Sequence, residues 1–152
     1  MKHLSMEIAI VALGCFWGPE IKFSKLNGII RTEVGYCGGN SAQTTYKEVC
    51  TDKTNHAEVV KIEFDPKIIS YEQILEYFFN IHDPTTLNSQ GPNFGTQYRS
   101  EIFYLNSNQK DTAEKIMEKE NKKLSGKVVT KLSIVKNYCT AEEYHQKYLE
   151  KK

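Results

Sequence analysis

The chain has no long hydrophobic run. A bilayer-crossing helix needs roughly 20 consecutive apolar residues, and the best candidate, Ile8 to Leu13, stops far short of that. This segment lies behind Lys2 and His3 and ahead of Gly14-Cys15, a faint likeness to a lipoprotein leader. Glu7 interrupts it, and what remains is shorter than the roughly 7–15 residues of a leader's apolar core. The expectation is a cytoplasmic protein with no membrane attachment. An excess of one charge is missing as well: 20 Lys and Arg stand against 19 Asp and Glu, a formal net charge of +1. A dedicated nucleic-acid binder carries a basic excess, so that class is set aside. Repeats, low-complexity tracts and linkers are absent, and a length of 152 residues reads as one domain, 1–152. Only four prolines, with 11% aromatic residues, exclude a disordered chain. Cysteine is scarce too. It stands at 15, 37, 50 and 139 with no C-x-x-C pair, which removes the zinc ribbon and the thioredoxin-like redox motif.

What is present alternates between strand and helix patterns. Glu7 to Leu13 reads as a buried strand closed by Gly14, and Gly18-Pro19 opens a helix that runs to about Leu26. Gly28 to Tyr36 and His56 to Phe64 read as strands, with one or two helical turns between Thr44 and Cys50. Ser70 and Gln73 form a capping box for a helix carrying Ile74, Leu75, Phe78 and Phe79. The segment from Asp83 to about Tyr98 has no clear period, and a loop of that length inside a compact domain points to function. Glu101 to Leu105 is a strand, Asn108 to Leu124 a charged amphipathic helix, and Val128 to Val135 another strand. Thr140-Ala-Glu-Glu143 reads as a capping box opening a last helix. The pattern predicts an α/β sandwich around a mixed sheet.

Two residues carry a chemical signal by placement. Cys15 lies where a buried strand turns into a helix N-terminus, a position at which the helix dipole favours a thiolate. With Phe16 and Trp17 beside it, the turn is either plain core or a nucleophile against an aromatic wall. Glu58 heads a strand face that continues Val60, Ile62, Phe64. Burial there raises a carboxyl pKa and makes a general acid, whereas a strand-end position lets the carboxylate reach water. Tyr36 and Tyr98 are flanked by glycine-rich segments and can donate hydrogen bonds to a substrate oxygen. His56 and Cys50 add metal-type donors, but no spacing supports a closed four-ligand zinc site. His145 reads as a polar-face or capping residue of the last helix.

Five segments together resemble one family. They are Gly14-Cys-Phe-Trp-Gly-Pro-Glu20, Gly35-Tyr-Cys-Gly-Gly39, His56-Ala-Glu-Val-Val60, Gly95-Thr-Gln-Tyr-Arg-Ser100 and Ala141-Glu-Glu-Tyr-His-Gln146. In this order they resemble the A-type peptide-methionine sulfoxide reductases, from about residue 7 to residue 149. The resemblance implies an α/β two-layer sandwich with a mixed sheet, packed helices and a ferredoxin-like core. It implies reduction of the S epimer of methionine sulfoxide, free or in proteins, without metal or cofactor. Cys15 then matches the nucleophile and Glu58 the proton donor. Tyr36 and Tyr98 match the phenols on the sulfoxide oxygen, and Phe16 and Trp17 the wall around the substrate methyl. Asn93 stands at a substrate-binding position where the family commonly has aspartate, and Asn55 replaces a usual glycine.

Recycling by thioredoxin or a similar dithiol is implied as well, but no cysteine follows Cys139. Cys139 is the first candidate to resolve a Cys15 sulfenic acid, because it precedes the apparent N-cap Thr140. Cys37 is the second, and direct reduction of the sulfenic acid without a resolver is the third route. Cys50 reads as a packed structural cysteine. A binding module that kept the fold and lost turnover, and a cysteine hydrolase, are the rival classes.

Overall fold

The computed structural model describes residues 6–151, so the basic pair Lys2 and His3 lies outside the described residues. The chain runs β1 (Glu7–Leu13), α1 (Trp17–Ser24), β2 (Ile29–Cys37), α2 (Tyr46–Val49), β3 (Ala57–Phe64) and α3 (Tyr71–Asn80). It continues with β4 (Ser89–Gln90), β5 (Asn93–Phe94), β6 (Ser100–Tyr104), α4 (Ser107–Lys123), β7 (Lys131–Ile134) and β8 (Cys139–Thr140). The main sheet has the order β7-β6-β1-β3-β2-β8, and β4 pairs with β5 in a separate hairpin. Every neighbour in the main sheet is antiparallel except β6 and β7. The unit β1-α1-β2-β3-α3-β6, with its strands ordered β6-β1-β3-β2, is the ferredoxin-like split βαβ arrangement. β7 extends it on one edge and β8 on the other.

Burial explains why β1 reads as an unbroken apolar run. Ala9, Val11 and Leu13 face the helical layer, whereas Ile10 and Ala12 face the other side with Cys37, Ala57, Val59 and Phe103. A central strand covered on both faces has no reason to alternate. The helical layer supplies Phe23 from α1, Ile74, Leu75 and Phe78 from α3, and Ala113 and Ile116 from α4. Each fully buried Phe or Leu in this layer contributes about 1.5–3 kcal/mol. The opposite face is closed by Ile8, Val135 and Tyr138 and by the buried Arg99–Glu101 ion pair at 2.6 Å. Capping boxes open both α2, at Thr45 and Glu48, and α3, at Ser70 and Gln73. No helix among the described residues is long and apolar enough to cross a membrane.

Two segments differ from the sequence pattern. The stretch Asp83 to Tyr98 is ordered by the β4–β5 hairpin and a 3-10 turn, Thr96–Tyr98. The expected last helix does not form. Thr140 instead lies in β8, where its hydroxyl donates to Glu33 Oε2 at 3.1 Å, and only a 3-10 turn, Glu143–His145, follows. The reason lies in Gln146. Its side-chain amide accepts from Val34 N at 2.9 Å and donates to Val34 O at 2.9 Å, taking the place of a peptide group on the β2 edge.

Candidate active site

Cys15 occupies the bend between β1 and α1. Gly14 makes that bend at φ +101, and an added Cβ would lie 2.8 Å from Gln90 Cβ. The β4–β5 hairpin therefore closes directly on the turn that carries the thiol. Two amides at the start of α1 then point at acidic groups. Trp17 N–H bonds the Cys15 sulfur, and Phe16 N–H donates to Glu58 Oε1 at 3.2 Å. The same two-residue stretch thus brings the thiol and the carboxyl together.

Glu58 pairs with Tyr36 across β3 and β2 and shares the helical face with Val60 and Ile62. It is 1% exposed, and its second oxygen, Oε2, is buried with no hydrogen-bond partner among the described residues. Burial pushes the carboxyl up from 4.5 to about 8, against the opposing Phe16 N–H, so it is protonated at neutral pH. Of the two environments read for Glu58, the buried one is observed. Burial also pushes the Cys15 thiol up to about 11, with Glu58 adding to the rise and the Trp17 N–H opposing it. The expected thiolate is therefore not the resting form, because desolvation outweighs the start of a short helix.

The phenols are held differently. Tyr98 closes the 3-10 turn, and the next residue anchors it: Arg99 donates to Thr96 O at 2.8 Å and Asn55 O at 3.0 Å. Burial raises the Tyr98 pKa, with Glu58 adding to it, so this phenol is a neutral donor. Tyr46 in α2 hydrogen-bonds Tyr98 and Cys50. Tyr36 is fully buried, and its O–H donates to Glu142 Oε1 at 2.8 Å. Burial, with that bond, holds the Tyr36 pKa far above its ordinary value. Glu142 accepts at its other oxygen from Tyr46 N at 2.8 Å. Burial works against the Glu142 charge, yet the Tyr46 N–H and the Tyr36 phenol hold its pKa below the usual carboxylate range.

An aromatic wall completes the site. Phe16 packs on Tyr36 at 5.8 Å and on His145 at 5.2 Å, and the Trp17 indole stacks on Tyr148 at 3.8 Å. Trp17 Nε1 donates to His145 Nδ1 at 3.0 Å. His145 is 1% exposed and sits among Phe16, Trp17, Tyr46 and Tyr144, not on a polar helix face. Burial lowers its pKa against the pull of Glu142, so the ring is neutral at pH 7 and carries its proton on Nε2. Sequence reasoning missed Tyr46, Glu142 and His145 as site residues. Glu142 and His145 lie in Ala141-Glu-Glu-Tyr-His-Gln146, a segment that carries the family resemblance but whose local pattern from Thr140 to Glu143 is that of a helix start.

The family described as peptide methionine sulfoxide reductase matches residues 7–152. The peptide methionine sulfoxide reductase MsrA of Pelagibacter ubique is 75% identical over 147 residues, covering 97% of this chain and all of that protein. Reduced Mxr1 from Saccharomyces cerevisiae superposes with a TM-score of 0.91 at 41% identity, covering 96% of this chain and 85% of that one. Mxr1 in complex with Trx2 matches at a TM-score of 0.67 and 28% identity, covering 97% and 89% of the two chains. The chain belongs to the peptide methionine sulfoxide reductase family. Its activity is the reduction of methionine sulfoxide.

In this reductase the remaining predicted residues are spread out. Asn93 pairs with Gln90 in the hairpin that packs on Gly14. Cys37 is fully buried on the far face of the sheet, where its thiol donates to Lys136 O, so β2 itself separates it from Glu58 and Tyr36. Cys139 lies in β8 opposite Tyr36, half-buried, with its thiol bonded to Thr44 O at 3.7 Å. The helix dipole expected to activate it is absent, because no α-helix follows. Cys50 is exposed rather than packed. His56 is committed to the loop after β2: its ring accepts from Gly39 N at 3.1 Å and bonds Ser41 O at 2.8 Å. No group of three His, Cys, Asp or Glu among the described residues is placed to hold a metal ion.

Proposed function

We propose that the reductase acts on the S epimer of methionine sulfoxide, free or in proteins, through a sulfenic acid on Cys15. The observation that carries this reading is the buried, unpartnered Oε2 of Glu58 on a neutral acid beside the thiol. A sulfoxide oxygen leaves poorly unless protonated. Glu58 supplies that proton while the Cys15 sulfur attacks the sulfoxide sulfur, and the thiol's own proton restores Glu58. The net change is Cys–SH and R₂S=O to Cys–SOH and R₂S, a two-electron oxidation of the thiol and reduction of the substrate.

Tyr98 is the phenol best placed to steady the oxygen. Its hydroxyl is hydrogen-bonded to the Tyr46 hydroxyl, a neutral partner it can exchange for the sulfoxide oxygen. Tyr36 donates to Glu142 and reaches the oxygen as a donor only by releasing it. Phe16 and Trp17 form the apolar side on which the methyl group rests. The S preference rests on the A-type motifs, and a thioredoxin-type dithiol as final reductant is supported by the solved Mxr1–Trx2 complex. A cytoplasmic location belongs to the same proposal, supported by four unpaired cysteines suited to a reducing compartment.

The test is dithiothreitol-driven reduction of a methionine sulfoxide peptide, resolved by epimer. Consumption of the S epimer alone is expected. Equal consumption of both epimers, or of neither, contradicts the proposal.

A further inference from the structure

We propose that Cys50 is the thiol that resolves the Cys15 sulfenic acid, an inference that rests on the Cys15 chemistry above. Three observations place it. First, Cys50 is exposed at the C-terminal cap of α2, on the site side of the molecule, not packed in the core. Second, its sulfur accepts from Gln97 Nε2 at 3.3 Å, one residue from Tyr98, and it hydrogen-bonds the Tyr46 hydroxyl that also bonds Tyr98. Third, a continuous aromatic path joins the two thiols. Phe16, next to Cys15, lies 5.2 Å from His145, and His145 lies 4.6 Å from the Tyr46 ring. Tyr98 is within electrostatic reach of both Cys15 and Cys50.

The alternatives are held in place by the fold. Cys37 is on the wrong face of the sheet, and reaching Cys15 means opening the β2–β3 ladder. Cys139 is fixed by its pairing with Tyr36 and by its bond to Thr44 O. Cys50 has a shorter anchor. The helix that carries it is one turn long, and the segment behind it contains left-handed Asp52 (φ 67) and Asn55 (φ 61). That segment is tied to the Tyr98 turn by exposed contacts, Thr96 N to Asp52 Oδ1 at 2.9 Å among them. Such solvent-exposed bonds exchange readily with water and hold the segment weakly. Closure must bring the two Cα atoms within roughly 4.4–6.8 Å. The resulting step balances without an external oxidant: Cys15–SOH and Cys50–SH give a disulfide and water. Exposure of Cys50 then leaves one sulfur open to an attacking dithiol.

The experiment mixes reduced enzyme with excess methionine-S-sulfoxide peptide, without reductant, and quenches with a thiol-blocking maleimide. Free thiols, released methionine and disulfide-linked peptides are then measured. One methionine per chain, loss of two thiols and a Cys15–Cys50 linked peptide are expected. In Cys50→Ser, Cys15 is expected to accumulate as a sulfenic acid that dimedone traps, with one thiol lost. Cys139→Ser is expected to give the same Cys15–Cys50 link as the wild type. A Cys15–Cys139 or Cys15–Cys37 link overturns the proposal, as does a trapped sulfenic acid in the wild type with every other thiol free. Those failures come with methionine released, whereas no release at all contradicts the Cys15 chemistry beneath the proposal.

Discussion

The two walls of this active site are built by different means. The wall of Cys15, Phe16 and Glu58 is made by backbone: a central strand, a sharp turn, a helix start and the β2–β3 register. The wall of Glu142, His145 and Gln146 belongs to a segment with almost no regular structure, held by side-chain bonds. Gln146 continues the β2 edge with its amide, and Glu142 joins Tyr36 to the start of α2. Lys147 N donates to the buried Glu20 at 2.8 Å, and His145 fixes the Trp17 indole. A strand fixes where a thiol sits. A strap of long-range side-chain bonds fixes how the surrounding rings are turned.

Breaking the first wall at its centre has the largest expected effect. Cys15→Ser should reduce methionine sulfoxide turnover to the level of the blank while far-UV circular dichroism and the melting midpoint stay near wild type. Breaking the strap should act on stability first. Gln146→Ala leaves the Val34 N–H without its acceptor, which costs about 1–3 kcal/mol in a urea titration. Trp17 is the only tryptophan, so its fluorescence should shift in the folded state of that variant as the indole loosens. The smallest effect is expected from His145→Phe, which keeps the packing and removes the acceptor for Trp17 Nε1. KM should rise several-fold with kcat little changed, as expected when binding common to the ground and transition states is lost. Steady-state kinetics on a sulfoxide peptide separate the two parameters.

The same contrast explains what could be read from the sequence. β1, β3, α3 and α4 announce themselves through local periods and caps, and Glu58 is visible because it breaks an apolar row. Cys15 is visible because strand and helix patterns meet at it. The strap is not visible, since its partners lie far apart in the chain: Gln146 and Val34 are 112 residues apart. Local rules therefore turned Thr140-Ala-Glu-Glu143 into a helix cap, when Glu142 is bound to Tyr36 instead. The exposure of Cys50 is hidden from the sequence for the same reason. Nothing near it in sequence shows that α2 faces Gln97 and Tyr98.

The raised Glu58 pKa has a stability consequence with a definite sign. Between about 4.5 and about 8 the folded chain holds a proton that the unfolded chain has released, so wild-type stability falls as pH rises through that window. Glu58→Gln should remove this decline, matching wild type below pH 4.5 and exceeding its stability above pH 8, read as chemical melts across pH.

The central claim is that Glu58 gives its proton to the sulfoxide as Cys15 attacks. The most direct measurement is single-turnover methionine release against pH in wild type and Glu58→Gln. Wild-type rates should fall once the pH passes about 8. Glu58→Gln should be slower by roughly 10²–10⁴-fold at neutral pH and should lack that descending limb. Release in Glu58→Gln within about twofold of wild type, or the same limb in both proteins, would contradict the account.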